Sequence, residues 1–359
     1  RLLAKETELV RSGLSTYQEL LEQVQASGID AMEDIEKDLD RTFPGHTFID
    51  TEKGRTALRN MLSAYAASNP ELGYCQSMNF IAAVLLVVME ADGDATSEEE
   101  AFWTFATIEN CIVPHYHMHG LFGCRVDSRV LFSLVQDKLP ELHSHLTNMS
   151  VVPEISFISW FMCLFVNTLP IKSALRVWDC LLAQQEDILL RVGLALLTMC
   201  ERVLRVADNP FDLNQTLQAA PKRINDADKL IKIALSDGVT AEQIKKLRAQ
   251  HQNDIRLEER RINELRQEKT DEQKLAQEFI PGHDQDEKVV HNGGGVVVQL
   301  ANGELLCATA LVTTFRLALV PRCSSVTEDV ISMPLLAIST IEPVEGGVRA
   351  GNGSVVNSC

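Results

Sequence analysis

The sequence lacks several patterns that mark common classes of protein. Its nine cysteines form no CxxC pair and are odd in number, which suits reduced, packed thiols in the cytosol better than a disulfide framework. No apolar run approaches the roughly 20 residues of a membrane-spanning helix; the longest, residues 80–89, predicts a buried core helix. Lysine and arginine number 33 against 50 acids, and the net charge of −17 disfavours non-specific binding to nucleic acid or to anionic membranes.

Motifs for nucleotide binding and hydrolysis are missing as well. Without GxxxxGK[ST], the chain is not itself a P-loop GTPase or ATPase, and neither GxSxG nor HExxH marks a hydrolase. His115, His117 and His119 alternate, with Cys124 close behind. Zinc sites usually separate their ligand pairs by a loop, and no second cluster lies nearby. We therefore predict a polar connecting loop here, and no metal or cofactor held by the chain itself.

Residues 1–236 carry helical patterns almost throughout. In STYQELLEQV, Ser15 is a candidate N-cap before apolar residues at helical spacing. GRTALRNMLSAYAASNP has the same spacing and stops at Asn69 and Pro70. ILLRVGLALLTMCERVL is apolar nearly all round, as expected of a central helix. We predict a mainly α protein whose first 236 residues form an all-helical domain.

The rest of the chain divides by composition into three parts. Residues 237–283 are rich in helix formers and in charge of both signs, which predicts a solvated helical linker; a partner-binding coiled coil is the alternative. Residues 284–345 carry apolar runs around the hairpin signal Asn302-Gly303 and predict a small β-rich module. The Gly- and Ser-rich residues 346–359 predict a disordered tail.

The segment DIEKDLDRTFPGH, residues 34–46, contains a candidate functional pair. Ile35, Asp38 and Arg41 recur every three residues and share one broad side of a short predicted helix, which Pro44 stops. Asp38 can orient the guanidinium of Arg41, whose planar fork suits phosphate oxygens. On spacing alone, an ordinary solvated ion pair is the simpler interpretation.

A second segment, NPELGYCQSMNF, leads from a turn into the apolar helix predicted at residues 80–89. If the link is extended, Tyr74 and Gln76 point to the same side. Gln76 is then a polar amide at the mouth of a buried helix. Taken alone, it is an ordinary residue at the start of a helix.

Together, the two segments resemble the TBC domain, the fold of Rab GTPase-activating proteins. The family patterns I-x-x-D-x-x-R and G-Y-x-Q-x-M-N are matched here by Ile35, Asp38, Arg41, Tyr74, Gln76, Met78 and Asn79. EEAFWTFATIEN, ISWFMCLFVNTLP and LRVWDCLL are also similar to the family. The resemblance covers roughly residues 10–236, and implies an all-helical TBC-type domain.

The resemblance implies a GTPase activator that acts in vesicle and membrane traffic in the cytoplasm. Its partner would be a GTP-bound Rab-family GTPase, which would itself carry the GTP and Mg²⁺. Arg41 would be an arginine finger that stabilises the transferring phosphoryl group, and Gln76 a glutamine finger that positions the attacking water. An arginine supplied in trans is worth about 10³–10⁵ in rate, or roughly 4–7 kcal/mol.

Four further residues would support these fingers. Asp38 would orient Arg41, Tyr74 and Asn79 would shape the glutamine loop, and Ile35 completes the first motif.

The chain departs from the family pattern at two places. The family often has Gly after the glutamine, where this chain has Ser77, a change we expect to be tolerated. TBC domains usually open with R-x-x-x-W, and none precedes Ser15. Since the chain also begins at Arg1 rather than Met, we expect either a truncated domain or a divergent first helix.

The β-rich module has a resemblance of its own, to GRAM or PH-like domains. The residues that carry this resemblance are Thr314, Arg316, Leu317, Met333, Pro334, Leu335 and Ile338. The resemblance implies membrane or phosphoinositide contact and a peripheral location on endomembranes. Residues 281–359 hold four basic residues against eight acids, which instead favours a structural or protein-docking module.

Three functions stay open at this point. The first is a Rab-directed GTPase activator, which the presence of both finger residues favours. The second is a catalytically silent TBC adaptor that binds a GTPase or a scaffold without stimulating hydrolysis. The third, a helical scaffold unrelated to GTPases, requires both motifs to be coincidental. None of the three implies a nucleic-acid partner.

Overall fold

The structure, a computed structural model, describes the backbone of residues 2–90, 97–184 and 187–279 and of seven strands between residues 289 and 358. Side chains are described from residue 7 to residue 267, with short gaps. The chain divides into two compact units, Arg1–Ile255 and Arg256–Cys359. Within the described residues, no helix combines the length and apolar character needed to cross a bilayer.

The first unit is helical, as predicted. Its α-helices are α1 (Leu2–Gly13), α2 (Tyr17–Ser27), α3 (Met32–Leu39), α4 (Glu52–Ser68), α5 (Met78–Glu90), α6 (Ser97–Thr107), α7 (Phe122–Lys138), α8 (Pro140–Asn148), α9 (Pro153–Ser156), α10 (Ile158–Met162), α11 (Ile171–Gln184), α12 (Asp187–Leu204), α13 (Pro210–Ala219) and α14 (Ala227–Leu235). A long helix, α15 (Ala241–Phe279), begins in this unit and runs into the second.

Local sequence signals set where several of these helices begin. Helix α2 starts with a capping box: the Thr16 hydroxyl accepts the backbone N–H of Glu19, and the Glu19 carboxylate accepts that of Thr16. The predicted cap, Ser15, was therefore wrong by one residue, because only Thr16 has a glutamate three residues later. Side chains of Thr51 and Asn209 cap α4 and α13 in the same general way.

The apolar segments form the centre of the first unit. The buried helix predicted from residues 80–89 is confirmed, since residues 81–86 of α5 are all buried. Helix α5 packs between α4 and α6, and α12 packs against α7, α11, α13 and α14. Burial of such continuous apolar helices supplies the main stabilisation of the fold. It also fixes the start of α5, which carries the second motif.

A change of helix type follows α6. The chain continues from α6 into a π-helix, Ile108–Ile112, and then into an irregular segment that leads to α7. Glu109, in the π-helix, is buried. The irregular segment passes very close to α7, because a Cβ on Gly123 would lie 2.7 Å from the carbonyl carbon of His115. Only glycine therefore permits this approach.

One face of the first part of α15 is buried. Ile244 and Ile255 are fully buried. The Arg248 guanidinium places Nε and Nη2 each 2.8 Å from the carboxylate oxygens of Asp127, and Nη1 2.8 Å from Asp187. Residues 241–255 thus pack on the first unit, which the sparse apolar pattern of this segment did not predict.

The strands of the second unit are described only by their backbone. Its strands are β1 (Val289–Gln299), β2 (Leu305–Thr313), β3 (Arg316–Pro321), β4 (Ile331–Pro334), β5 (Ile341–Val344), β6 (Gly347–Ala350) and β7 (Ser354–Ser358). They pair in the order β4-β3-β2-β1-β7-β6-β5, always antiparallel. The side chains behind the GRAM or PH-like resemblance lie outside the described residues. The proposed domain limits, the linker and the tail included, stay predictions.

Candidate functional site

Arg41 lies just beyond a helix rather than within it. Helix α3 ends at Leu39, two residues before Arg41, so the prediction that the helix continues towards Pro44 was wrong. The backbone N–H groups of Arg41 and Thr42 donate to the carbonyls of Asp38 and Leu39 at 3.3 and 3.2 Å. These three-residue turns tighten the end of the helix. The Thr42 hydroxyl also donates to the Asp38 carbonyl, at 2.6 Å.

Asp38 is the buried anchor of this turn. One of its carboxylate oxygens pairs with Nη2 of Arg41, and the other accepts the hydroxyl of Tyr74. Burial raises the pKa of Tyr74, and Asp38 shifts it in the same direction, so the phenol keeps its proton and donates. The Asp38 side chain is 3% exposed, whereas that of Arg41 is 54% exposed. The guanidinium is therefore held at Nη2, while much of the side chain is open to solvent.

Gln76 lies exposed in the turn that precedes α5. The next residue, Ser77, has φ +93°, a left-handed conformation that glycine adopts freely and that costs other residues of order 1–3 kcal/mol. The Ser77 N–H donates to Oδ1 of Asn79 at 3.1 Å. The N–H of Met78 donates to the carbonyl of Cys75 at 3.2 Å. The turn is thus closed by its own backbone and by the first residues of α5.

A single buried amide connects the two motifs. Asn79 is fully buried; its Nδ2 donates to Oγ1 of Thr42 at 2.7 Å, while its Oδ1 accepts the N–H of Ser77. Thr42 follows Arg41, and Ser77 follows Gln76. The residues next to the two candidate fingers are therefore joined through one side chain, in addition to the contact between Tyr74 and Asp38.

A buried polar group lies beneath the glutamine turn. His115 and His117 lie in a connecting segment, as predicted, but His117 is buried within it. Its Nε2 lies 3.0 Å from both Oγ of Ser77 and the carbonyl oxygen of Met162, and its Nδ1 lies 2.7 Å from Oε2 of Glu109. Among the residues that the structure describes, no group of three or more His, Cys, Asp or Glu side chains has an arrangement suited to a metal ion.

The family model of the Rab-GTPase-TBC domain matches residues 5–204. The chain belongs to this family. The match includes both motifs and the helices that position them, α3, α4 and α5.

Two curated human relatives show the same similarity. TBC1 domain family member 2A of Homo sapiens is 35% identical over 257 residues, which make up 70% of this chain and 27% of that protein. TBC1 domain family member 2B of Homo sapiens is 32% identical over 257 residues, covering 70% of this chain and 26% of the relative. The chain thus spans about a quarter of the length of these relatives.

Solved structures support the fold of this TBC domain. The RabGAP TBC domain of the Chlamydomonas flagellum is 29% identical, with a TM-score of 0.54 over 61% of this chain and 70% of that one. The Ypt/Rab-GAP domain of Gyp1p, at 18% identity, has a TM-score of 0.54 over 66% of this chain and 79% of that one. The second likeness bears on the fold alone.

The structure brings together most of the residues predicted to be functional in this TBC domain. Asp38 contacts Arg41 and Tyr74, whereas Ile35 is fully buried and acts as a packing residue of α3. The finger roles of Arg41 and Gln76 stay predictions.

Sequence reasoning missed three residues around the motifs, Thr42, Glu109 and His117. None of them belongs to a motif, and their contacts join distant parts of the chain. Only the departure from glycine at Ser77 pointed towards this group.

Proposed function

We propose that this TBC domain accelerates GTP hydrolysis on a Rab-family GTPase by supplying Arg41 and Gln76 to the partner's nucleotide. The observation that carries the proposal is the coupling of the two motifs through Asn79. That contact holds the segments bearing a half-exposed arginine and an exposed glutamine in one rigid arrangement. Preorganised groups of this kind stabilise a transition state without reorganisation during the reaction.

Arg41 would supply positive charge where the phosphoryl group accumulates negative charge. A guanidinium has five N–H donors, and Asp38 engages its Nη2. The remaining donors are available to phosphate oxygens, and the ion pair with Asp38 reduces the entropy lost when they engage. In the same proposal, the amide of Gln76 orients the attacking water, since it can both donate and accept a hydrogen bond. GTP and Mg²⁺ belong to the partner.

The test is single-turnover GTP hydrolysis by a panel of Rab GTPases with wild-type chain and with Arg41→Ala, Arg41→Lys and Gln76→Ala. We expect wild-type chain to accelerate at least one Rab, and both alanine variants to lose about 10²-fold or more of that acceleration. Arg41→Lys keeps the charge but not the planar fork, so we expect it to fail as well.

The matched control for this test is Arg59→Ala. Arg59 is a partly exposed arginine of α4 that pairs with Glu36, and its loss should leave most of the acceleration intact. A responsive Rab hydrolysed equally fast with wild-type and Arg41→Ala chain would rule out the arginine finger. A stable complex with GTP-loaded Rab but no acceleration would identify the chain as a silent adaptor instead.

For the C-terminal module we propose only a general role. We propose that residues 284–345 form a GRAM or PH-like unit with a structural or protein-docking role. Membrane or phosphoinositide contact on cytoplasmic endomembranes is the alternative. The excess of acids, eight against four basic residues in 281–359, supports the first role, because lipid headgroups select clustered basic residues.

A further inference from the structure

Ser77 combines a strained backbone conformation with a buried, hydrogen-bonded side chain. Its φ of +93° lies in the region that L-residues rarely adopt. Glycine adopts this region without strain because it has no Cβ, whereas serine has one. The hydroxyl, however, is buried and bonded on two sides. It lies 3.0 Å from Nε2 of His117 and donates to the carbonyl of Met162 at 3.2 Å. The strained residue directly follows Gln76.

His117 is fixed as a donor by what surrounds it. Its Nε2 faces the Met162 carbonyl, which can only accept, and its Nδ1 faces the carboxylate of Glu109. Both ring nitrogens are therefore placed to donate. Burial lowers the pKa of His117, but the charge and hydrogen bond of Glu109 oppose it, and the net direction is upward. An imidazolium donates a stronger hydrogen bond than a neutral ring does.

Glu109 lies where the helix is irregular. It lies in the π-helix Ile108–Ile112 that continues α6, and π-helical turns of this kind often mark functional sites. The ion pair is nearly inaccessible, with side chains 0% and 1% exposed for His117 and Glu109. A buried pair of this kind is weak evidence for stability in itself. Its specific contact is with the residue that follows the candidate glutamine finger.

We propose that Ser77, His117 and Glu109 are positioning residues for Gln76. Glu109 holds His117 protonated and oriented, His117 and the Met162 carbonyl bind the Ser77 hydroxyl, and this bond keeps the backbone in the left-handed turn that presents Gln76. The three residues do for this chain what a glycine after the glutamine would do by conformational freedom alone. The inference rests on the proposed function, because the effect on Gln76 matters only if Gln76 acts on the partner.

The test compares two substitutions at one position. Ser77→Ala keeps the strained Cβ and removes only the hydroxyl, whereas Ser77→Gly removes both the hydroxyl and the strain. We expect Ser77→Ala to lower the kcat of Rab GTP hydrolysis by about tenfold to a hundredfold, with KM for the Rab nearly unchanged. Ser77→Gly should have a clearly higher kcat than Ser77→Ala, although it removes more atoms.

The same comparison identifies the role of His117. His117→Gln should lower kcat strongly in the chain that retains Ser77. It should lower kcat only weakly in the Ser77→Gly background, because a glycine does not need the hydrogen bond that His117 supplies. A loss of equal size in both backgrounds would show that His117 does not act through Ser77. The control is Ser150, which is exposed and also left-handed at φ +57°: Ser150→Ala and Ser150→Gly should have equal kcat.

Failure of this inference can be told apart from failure of the proposed function. Wild-type chain that accelerates no Rab would refute the proposed function, and with it the role of the three residues towards Gln76. An active wild-type chain with equal kcat in Ser77→Ala and Ser77→Gly would refute this inference alone. Urea unfolding tests the strain without measuring GTP hydrolysis. Ser77→Ala must unfold at a lower urea concentration than Ser77→Gly, and the reverse order would overturn the strain argument.

Discussion

At the scale of the residue, the site depends on a few polar side chains with specific hydrogen-bond partners. Asn79 is the clearest case, since its amide must donate to one hydroxyl and accept one N–H at the same time. The Thr42 hydroxyl already donates its proton to the Asp38 carbonyl, so it can only accept from Asn79. An asparagine amide has its donor and its acceptor on separate atoms, whereas a hydroxyl of similar size has both on one atom.

Asn79→Asp should therefore disable the site and destabilise the fold. The shape is kept, but the donor is lost and a carboxylate is buried, which we expect to cost at least about 3 kcal/mol of unfolding free energy. Urea unfolding followed by tryptophan fluorescence measures this, because Trp103, Trp160 and Trp178 all lie in the first unit. Asn253→Asp, at an exposed position of α15, is the control and should change stability little. Equal midpoints for the two variants would contradict the bridging role.

The sequence predicted residues within motifs much better than the contacts between motifs. Asp38, Arg41, Tyr74 and Gln76 could be named because their spacing matches a known pattern. His117 could not, because its partners lie at positions 77, 109 and 162. No local periodicity encodes such contacts, which arise only once the helices have packed.

At the scale of the element, helix identity followed from the sequence, whereas helix ends and attachments did not. The apolar character of α5 and α12 is a local property and was sufficient to predict both. The end of α3 depends on a threonine hydroxyl that competes for a backbone carbonyl. The attachment of α15 depends on two isoleucines and one arginine in an otherwise solvated pattern.

The attachment of α15 can be tested through Arg248. Its side chain is 14% exposed and faces Asp127, which is 3% exposed. Arg248→Gln would leave that carboxylate buried without its charge partner, which should cost about 3 kcal/mol of unfolding free energy. Arg260→Gln, at an exposed position farther along α15, should cost well under about 0.5 kcal/mol. Indistinguishable tryptophan-monitored unfolding of the two variants would contradict the docking of residues 241–255.

At the scale of the whole molecule, the net charge affects which surfaces the chain can bind. A net charge of −17 opposes association with surfaces of the same sign. The family and the helical class of the first unit were both predicted, because the motifs are specific and apolar periodicity runs through it. The sheet order of the second unit was not, since strand pairing joins residues far apart in sequence.

The charge gives a prediction for membranes. We expect the whole chain not to sediment more with vesicles of phosphatidylcholine and phosphatidylserine than with phosphatidylcholine alone, because acids outnumber basic residues in 281–359. Sedimentation at low and at moderate salt measures this. A phosphatidylserine-dependent increase that weakens with salt would assign the C-terminal module a lipid-binding role instead.

The left-handed serine beside Gln76 also has a consequence for how such chains diverge. While position 77 is glycine, His117 has no role towards Gln76 and is kept only by its buried pair with Glu109. Once serine is accepted at 77, every later replacement of His117 is penalised, so the histidine must be present before the serine and must outlast it. Exchange at the two positions should therefore follow a fixed order. Ser77 transplanted alone into a TBC domain that lacks the histidine should be harmful there, although it is native here.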